Sequence, residues 1–524
     1  MSSTAVPASS AIQARNFNVA VLEHENAAHF GTYARLHYEG RSFTNLDELR
    51  HAGRIARILK ENGVRAGDRV LALLPNSPEM TAFFQATWTL GAIAVPIAVQ
   101  SSMPEMAHVL SNTAPTALLT VPTLASRLQQ TCLATRSSGR LLCFGETEAS
   151  DVTNILPECS DPGGDWLSVP ENRLASDPAM LLYTSGTMGK PKAVIVTHEN
   201  IPAAMDAVHR VNPSLPRRPM LHVLPLHHVF GILMIQLANR WGFSSVLLSQ
   251  FDPLSVFRCI AQYQVAYMLM VPTMLMYLLH HPERSKYDFS SLYRIITGGA
   301  SLPEPLRIAF QQAFRCRVDQ GYGMSEAGFI SCYGDRESYR TGSSGWPCPG
   351  FELRIMDDQD HPLPALASGE ICIKGPSITP GYWNDAEATR KTVQNGWFHT
   401  GDVGYVDNDG YLYITDRLKD LIIKGGENIS PREIEEVIYI HPAVADAAVV
   451  GVPDDYLGEE ICAVVQLRAG MTASPEEIRE HVSRHLGKFK LPAQVIFVPT
   501  LPRTASGKVQ KQTLRQQLTP KRVA

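Results

Sequence analysis

Short apolar runs alternate with amphipathic segments through the first part of the chain. The run Arg69–Leu74 ends at a Pro-Asn-Ser turn, and Pro78–Leu90 then shows helical spacing of apolar residues. Further apolar runs follow, with Met106–Asn112 as a helical link between the first two: Ala92–Ile97, Ala117–Val121, Pro219–Val223, Ser245–Leu248, Tyr267–Met270 and Arg294–Thr297. Such alternation is typical of parallel strands covered by helices. The pattern predicts a large α/β region built from βα units.

The pattern changes near residue 340, where Gly, Pro, Asp and Asn become dense. Short alternating runs at Glu352–Met356, Gly369–Lys374 and Tyr411–Thr415 predict a smaller antiparallel unit. A compact βα segment ends the chain, and within it Ser430 and Ser474 each begin a predicted capping box with Pro at the first helical position. We expect a domain boundary near Arg417–Lys419, and a short hinge there because the sequence has no Gly/Ser-rich linker.

Composition and charge narrow the class of protein. The 524 residues include 47 Lys and Arg against 51 Asp and Glu, a formal net charge of −4, which gives no reason to expect a nucleic-acid partner. Nine cysteines without CxxC spacing favour free thiols in a reducing compartment. The N-terminus has no secretory-signal pattern, and the most apolar stretches are shorter than the roughly 20 residues of a membrane-spanning helix. We expect a cytoplasmic enzyme with no integral membrane segment.

The segment Leu181–His198 carries the strongest candidate for phosphate binding. An apolar strand leads into a Gly-rich turn with the sequence Thr184-Ser185-Gly186-Thr187-Met188-Gly189-Lys190-Pro191-Lys192. Glycine lets backbone N–H groups approach an anion, hydroxyls donate hydrogen bonds and lysines supply positive charge. The turn is not a P-loop, because Thr184 and Pro191 stand where that template needs Gly and Ser or Thr. A polar surface hairpin is the alternative.

This turn resembles the phosphate loop of the adenylate-forming acyl-CoA synthetase superfamily, which reads [ST]SG[ST]TGxPKG. The superfamily includes acyl- and aryl-CoA ligases, adenylation domains of non-ribosomal peptide synthetases and firefly luciferase. Met188 replaces the usual threonine and Ala193 the usual glycine. The resemblance covers nearly the whole chain, with the motifs in family order. It implies a catalytic role for Thr184 and nucleotide contacts from Thr184, Ser185, Gly186, Thr187, Gly189, Lys190 and Lys192.

A second stretch, Gln320-Gly321-Tyr322-Gly323-Met324-Ser325-Glu326, resembles the adenine and metal motif of the family. The resemblance implies that adenine stacks on Tyr322 and that the Gln320 region hydrogen-bonds the edge of the base. It also implies that Ser325 contacts the α-phosphate and that Glu326 holds Mg²⁺, a hard cation suited to a carboxylate. An ordinary Gly-rich turn is the alternative. The nearby Gly298, Gly299 and Ala300 resemble the loop between adenine and acyl pocket, where glycine allows close approach.

Three further motifs complete the resemblance. Trp397–Asp402 resembles W-x-x-T-G-D, which implies that Asp402 accepts hydrogen bonds from the ribose hydroxyls. Asp416–Asp420 resembles the hinge motif, which implies that Arg417 reaches the ribose and that Lys419 is the pivot. Leu501–Lys508 resembles the C-terminal lysine loop, in which Lys508 would offset charge as the carboxylate attacks the α-phosphorus. The alternatives are a solvated turn at the hinge motif and a solvated tail at the C-terminal lysine.

The histidine pair at 227 and 228 lies in a segment, Leu224–Gly231, that resembles P-L-[FY]-H-x-x-G. The resemblance places His228 beside the acyl pocket and the pantetheine tunnel, with a gating or pocket-lining role. His227 replaces an aromatic residue, and a purely structural role for it is equally open. Because adjacent residues of an extended chain point to opposite sides, we do not expect both histidines to bind one metal ion.

The resemblance implies a fold and a two-step reaction. The fold is α/β: a large N-terminal domain, residues 1–418, of βα-layered subdomains with a small antiparallel barrel-like subdomain, and a small mobile α+β domain, residues 419–524. ATP with Mg²⁺ and an acid give acyl-AMP and pyrophosphate, and the thiol of CoA or of an acyl carrier protein then displaces AMP. Rotation about Lys419 would exchange Lys508 for the loop of Lys424, Gly425 and Gly426.

The sequence gives less information about which carboxylic acid is the substrate. Met234, Met270, Met274 and the run Val229–Gly231 suggest an apolar pocket, although such methionines are as often ordinary core. These stretches offer no arginine for a second carboxylate, which favours a monocarboxylic fatty acid and leaves an aryl acid open. A luciferase-like oxygenase and a regulator without catalytic activity are the remaining alternatives, and a monomer or homodimer is equally compatible with the sequence.

Overall fold

The computed structural model describes residues 15–160, 169–184, 191–213, 215–334, 338–454, 456–503 and 509–518. Within these residues the chain forms two helix-covered sheets, an antiparallel region and a C-terminal α+β unit. The α/β architecture predicted from the sequence is confirmed. Among the described helices, none combines the length and the apolar character needed to cross a membrane.

One sheet comes from the first 200 residues, and its central strand Arg69–Leu73 is buried from Val70 onward. Both faces of a parallel sheet are covered by helices, which is why its strands read as continuous apolar runs. The pairs are parallel except for the terminal hairpin of Pro178–Thr184 with Lys192–Thr197. In spatial order the described strands are Thr153–Asn154, Arg140–Cys143, Ala117–Thr120, Arg69–Leu73, Ile93–Pro96, Pro178–Thr184 and Lys192–Thr197.

A second sheet follows the same plan. Its described strands, in spatial order, are Arg317–Gln320, Arg294–Thr297, Tyr267–Met270, Met220–His222, Ser245–Leu247, Ala34–Tyr38 and Arg41–Thr44. All the pairs are parallel except the last, so most carboxyl ends meet at one edge. Loops that leave the carboxyl ends of parallel strands form the usual ligand crevice of such sheets.

Helices cover both sheets, and several begin at side-chain caps. Ser77 accepts a hydrogen bond from the Met80 N–H, and Ser102 forms a capping box with Glu105. The predicted helix Pro78–Leu90 is thus confirmed as Pro78–Thr89. The described helices of this part are Val21–Phe30, Asn45–Glu61, Pro78–Thr89, Met103–Thr113, Pro122–Thr135, Leu156–Ser160, Asn200–Val211, Val229–Trp241, Pro253–Tyr263, Pro272–His280, the 3₁₀ turn Arg284–Lys286, and Glu304–Phe314.

The antiparallel region contains two small sheets and the helix Ala386–Thr392. Their described strands are Tyr322–Met324, Gly328–Cys332 and Trp346–Pro347 in one, and Glu352–Met356, Gly369–Lys374, Val393–Gln394, Trp397–Val406 and Leu412–Arg417 in the other. Between Gly369–Lys374 and Trp397–Val406 the register shifts, since Cys372 faces His399 whereas Glu370 faces Val403. This bulge, with Gly401 at a φ of 71°, leaves Asp402 without a partner on Gly369–Lys374, while on the other side Asp402 pairs with Arg417.

The C-terminal unit packs helices on a mixed sheet. Its described elements are Ile422–Lys424, Glu427–Ile429, Pro431–Tyr439, Val444–Asp454, Gly458–Leu467, Pro475–Ser483, the 3₁₀ turn Lys488–Lys490, Gln494–Phe497 and Lys511–Leu518. Ser474 and Glu477 form the predicted capping box. The box predicted at Ser430 is only half formed: Ser430 caps the Glu433 N–H, but the Glu433 carboxylate binds Lys490 Nζ at 2.6 Å and 2.7 Å instead.

Candidate functional site

A cavity of about 500 Å³ lies where the carboxyl ends of the two large sheets face each other. The turn Leu74-Pro75-Asn76 enters it from one sheet, and Met270, Gly298 and Gly321 enter it from strand ends of the other. The remaining lining residues are Val99, Gln100, Val223, Leu224, Pro225, His227, His228, Phe230, Ser249, Gln250, Phe251, Leu269, Val271, Thr273, Met274, Tyr277, Ile296, Thr297, Gly299, Tyr322, Phe329 and Arg503. The site is therefore a crevice at strand ends, the expected position in this class of fold.

The wall of this cavity is apolar over most of its surface. Met270 and Met274 line it as predicted, together with Phe230, whose ring packs on Phe329 at a centroid distance of 5.1 Å. Met234 does not line it: this side chain is 8% exposed and belongs to the hydrophobic core between the sheets. The sequence could not show which methionines line the cavity and which lie in the core, because both positions favour apolar residues.

Asn76 lines the cavity and was not singled out from the sequence. Its side-chain NH₂ donates to the Leu224 carbonyl at 3.0 Å and to the Leu248 carbonyl at 3.2 Å, and its Oδ1 accepts from the Leu226 N–H at 2.8 Å. The side chain thereby joins the first sheet to two loops of the second. Its only sequence signal is its place in the Pro-Asn-Ser turn after a buried strand.

Both histidines of the pair line the cavity. The expectation that they do not bind one metal ion together stays a prediction. That expectation assumed an extended chain, whereas Leu224–His228 forms a turn before the helix Val229–Trp241. His228 caps this helix, with Nδ1 accepting from the Phe230 N–H at 3.4 Å. Burial lowers the pKa of His227 to about 4, so this imidazole is neutral at physiological pH.

A polar cluster of Tyr322, Asp402 and Arg417 lies beside the cavity. The Tyr322 hydroxyl donates to Asp402 Oδ2 at 2.5 Å, and Arg417 Nε pairs with Asp402 Oδ1 at 2.9 Å. Burial, reinforced by the Asp402 charge, raises the pKa of Tyr322 well above its usual range. The Asp402 charge likewise raises the pKa of Arg417. The structure thus brings together three residues that are 80 and 15 positions apart in sequence.

Hydrogen bonds and close packing at glycine fix the loops around this cluster. The Gly298 N–H donates to the Met270 carbonyl at 3.2 Å. A Cβ on Gly323 would meet the Gly328 carbonyl oxygen at 2.1 Å, so only glycine fits there. Gln320 is buried, with Oε1 accepting from the Leu302 N–H at 3.0 Å. Gly298, Gly299 and Gly321 reach the cavity, whereas Gln320 braces the loop beneath it and Ala300 is exposed to solvent.

Glu326 lies next to the described end of the phosphate turn. Its Oε1 accepts from the Tyr382 hydroxyl at 3.0 Å, and Lys192 Nζ stands 5.1 Å from the centre of the Tyr382 ring. Burial raises the pKa of Glu326, partly opposed by that hydrogen bond. Ser325 lines the same small recess as Glu326. Tyr382 was not predicted, since no motif or spacing marks it. Thr184 and Lys192 end the paired strands of the hairpin, and residues 185–190 lie outside the described part of the chain.

The C-terminal unit reaches the cavity through Arg503. This side chain lines the cavity and is ion-paired with Asp446 of its own unit. Lys508, five residues further on, lies outside the described residues. Lys424 pairs with Glu460 at 2.6 Å, and neither it nor Gly425 or Gly426 lines the cavity in this arrangement.

The hinge segment is held by backbone contacts. The Lys419 carbonyl accepts from Arg515 Nη1 at 3.0 Å. Burial lowers the pKa of Lys419, and the neighbouring Arg417 adds to this shift. Across the two units, the Ser301 hydroxyl donates to Glu436 Oε1 at 3.2 Å. The observed arrangement therefore brings Arg503, and not the Lys424 loop, to the cavity.

Comparison with known proteins gives a consistent result over nearly the full length. The model of the AMP-binding enzyme family matches residues 23–383, and that of the AMP-binding enzyme C-terminal domain matches residues 433–508. A long-chain-fatty-acid–CoA ligase of Bacillus subtilis is 32% identical, with 94% of this chain and 93% of that protein covered. A feruloyl-CoA synthase of Amycolatopsis is 34% identical, with 91% and 94% covered. The structure of ATP-bound MatB from Rhodopseudomonas palustris superposes with a TM-score of 0.87 at 28% identity, with 95% and 98% covered.

Proposed function

This chain belongs to the AMP-binding enzyme family and is an AMP-forming acyl-CoA synthetase, and from that premise we propose that its acid is an unbranched monocarboxylic acid of the fatty-acid type. One observation carries the proposal: the cavity beside Gly298, Gly299 and Tyr322 is apolar along its wall. Its volume of about 500 Å³ lies within the range of small-molecule pockets. An acyl chain buried there gains about 0.8 kcal/mol for each methylene.

We propose that the polar cluster beside this cavity binds the nucleotide. Asp402 and Arg417 would hold the ribose, the Tyr322 ring would face the adenine, and the phosphate turn would hold the phosphates with Thr184 and Lys192. Because Tyr322 and Arg417 already orient the Asp402 carboxylate, the ribose hydroxyls meet an acceptor that needs no rearrangement. Such preorganisation supports a nucleotide site here.

Glu326 fits the magnesium ion that ATP-dependent chemistry needs. Its carboxylate is a hard oxygen donor, is fixed by the Tyr382 hydroxyl, and lies near the described end of the phosphate turn. We propose that Glu326 holds Mg²⁺, with Ser325 on the α-phosphate beside it. The ion would neutralise phosphate charge during the displacement.

The first reaction step then follows from the positions proposed for the acid and the nucleotide. The carboxylate of the acid attacks the α-phosphorus, a P–O bond forms, and the bond to the pyrophosphate oxygen breaks. Lys508 would compensate the negative charge that develops, and Arg503, five residues before it in the sequence, lines the cavity. Arg503 is itself neutralised by Asp446, which disfavours acids with a second carboxylate at that end.

The second step transfers the acyl group to the thiol of CoA with release of AMP. We propose a division into residues 1–418 and 419–524, with rotation about Lys419 carrying Lys508 away and the loop of Lys424, Gly425 and Gly426 in. His228, at the start of its helix and on the cavity wall, would line the path of the thiol. None of the nine cysteines, all of which lie in the described part of the chain, forms a disulfide, and this supports a reducing and thus cytoplasmic location.

An acid panel tests this proposal. Saturated fatty acids of increasing length, 4-coumaric and ferulic acids, and dicarboxylic acids are each supplied with ATP, Mg²⁺ and CoA, while AMP and thioester are measured. We expect the highest kcat/KM for an unbranched fatty acid. A preference for a dicarboxylic acid would contradict the proposal. A preference for an aryl acid would also contradict it, because the cavity would then bind an aromatic ring. Replacing CoA by a holo carrier protein tests the alternative acceptor.

A further inference from the structure

A cluster of Glu370, Cys372 and His399 lies on the antiparallel sheet, apart from the cavity and from Glu326. Glu370 and Cys372 are two positions apart on one strand, and His399 is the partner of Cys372 on the next, so all three side chains share one face. One ligand atom from each lies within 4.8 Å of the others. No step proposed above uses any of the three.

The distances between the ligand atoms are close to those around a metal ion with tetrahedral coordination. Cys372 Sγ is 3.5 Å from His399 Nδ1, and His399 Nδ1 is 2.9 Å from Glu370 Oε2. A zinc ion with bonds of about 2.3 Å to sulfur and about 2.0–2.1 Å to nitrogen and oxygen spans ligand pairs of similar separation. The contact of 2.9 Å between His399 and Glu370 is shorter than such a ligand pair, so Glu370 would move outward to admit the ion.

The surroundings also fit a metal centre. The other ring nitrogen of His399, Nε2, is buried, has no hydrogen-bond partner in the described part of the chain, and faces Asp360 Oδ1 at 3.6 Å. Asn395 Nδ2 holds the second oxygen of Asp360 at 2.9 Å. A carboxylate behind a histidine is the usual outer partner of a metal-bound imidazole. The cluster therefore has a second group of residues that would orient its ligands.

We propose that Glu370, Cys372 and His399 form a binding site for a divalent cation of the zinc type, with water as the fourth ligand. The cation binds the Cys372 sulfur as thiolate, and the thiol proton passes to solvent. His399 binds through Nδ1 with its single ring proton on Nε2 towards Asp360, and Glu370 binds as carboxylate. One proton is released for each cation bound.

The site has a physical connection to the proposed nucleotide site. The second oxygen of Glu370, Oε1, accepts from the Gly401 N–H at 2.9 Å, and Gly401 immediately precedes Asp402. A cation that draws Glu370 outward also displaces the bulge that carries Asp402. Cation and nucleotide are therefore expected to weaken each other's binding, a consequence that rests on the proposed role of Asp402.

Cobalt titration tests the site itself, independently of any reaction. Tag-free protein is titrated with Co²⁺ in the presence of excess Mg²⁺, with the thiolate-to-cobalt charge-transfer absorption as readout. We expect one Co²⁺ per chain, loss of the band in Cys372→Ser and in His399→Gln, and an unchanged band in Cys259→Ser, a half-buried cysteine on another helix. Competition with a chromophoric chelator is expected to show that Cys372→Ser weakens Zn²⁺ binding more than about 100-fold, and Asp360→Asn about tenfold.

Absence of the thiolate band in the wild type, or its persistence in Cys372→Ser, would overturn the metal site. Circular dichroism establishes whether each variant is folded. If Cys372→Ser does not fold, the cobalt band of His399→Gln decides whether the metal site exists. For the connection to the nucleotide, AMP affinity is measured with and without Zn²⁺. We expect about fivefold weaker AMP binding with Zn²⁺ in the wild type and no change in Cys372→Ser. Equal AMP affinity in the wild type would reject the connection and leave the cobalt result to decide the site.

Discussion

The proposed nucleotide side and the acyl cavity are built on different principles. On the nucleotide side a few polar groups hold one another, as in the contact of 2.5 Å between Tyr322 and Asp402 and that of 2.9 Å between Arg417 and Asp402. The cavity, in contrast, is an apolar wall assembled from many loops. Binding by a small polar cluster depends on each of its side chains, whereas binding by an apolar wall is the sum of small contributions from many side chains. Substitutions on the two sides should therefore differ in size and in kind.

The largest effect is expected from Lys508→Ala. We expect adenylation, measured as acid-dependent pyrophosphate exchange, to fall about 1,000-fold, because a charge that stabilises the transition state is removed. Thioester formation from supplied acyl-AMP should be nearly unchanged, since that step would occur after Lys508 has left. The control is Lys488→Ala, an exposed lysine of the same unit. Equal losses in both half-reactions would refute the separate role of Lys508.

Asp402→Ala is expected to have the next largest effect. Loss of the carboxylate removes an acceptor for the ribose and leaves Tyr322 and Arg417 without their partner. We expect AMP binding, measured by calorimetry, to weaken about 30-fold, which corresponds to about 2 kcal/mol. Asp409→Ala, at a surface carboxylate paired with Arg340, is the matched control. Unchanged AMP affinity in Asp402→Ala would place the nucleotide elsewhere.

Tyr382→Phe tests the support of the proposed magnesium ligand. The change removes only the hydroxyl that donates to Glu326. Because a hydrogen bond to a charged group contributes about 1.5–3 kcal/mol, we expect the Mg²⁺ concentration for half-maximal activity to rise about tenfold. Tyr405→Phe, on a surface-facing tyrosine pair, should leave the Mg²⁺ titration unchanged. If both variants behave alike, Tyr382 does not position Glu326.

The smallest effect is expected from His227→Phe on the cavity wall. With a pKa of about 4, His227 stays neutral and does not change its protonation state between pH 6 and pH 8. We expect kcat/KM for a fatty acid to change less than about threefold, and the pH profiles of variant and wild type to run parallel over that range. A collapse of activity, or loss of a pH-dependent limb, would show that His227 takes part in the chemistry.

The same contrast decides what the sequence could predict. The strands and helices of the α/β region were predictable, because their apolar periodicity reflects burial directly, as at Tyr267–Met270 and Arg294–Thr297. Polar groups such as Asp402 and Arg417 lie in short contiguous motifs and were predicted by resemblance. The hydrogen bond from Tyr322 to Asp402, 80 residues away, was not predicted, since it arises only when two sheets meet.

The cavity and its supports were less accessible from sequence. Met234 and Met274 have the same character in the sequence, and only packing assigns one to the core and the other to the wall. Asn76 and Tyr382 act through single long-range hydrogen bonds, which leave no local pattern. At His227 and His228 the sequence was interpreted as an extended chain, whereas the backbone turns there.

The most direct test of the account is the chain-length profile of Met274→Trp against that of the wild type. If the cavity binds the acyl chain, a larger side chain on its wall shortens the space and shifts the best fatty acid to a shorter one. Loss of two buried methylenes corresponds to about 1.6 kcal/mol, or more than tenfold in kcat/KM for the longer acid. Pyrophosphate exchange with the shorter acid and AMP affinity should stay at wild-type levels. An unchanged chain-length profile in a folded Met274→Trp protein would contradict the assignment of this cavity to the acid.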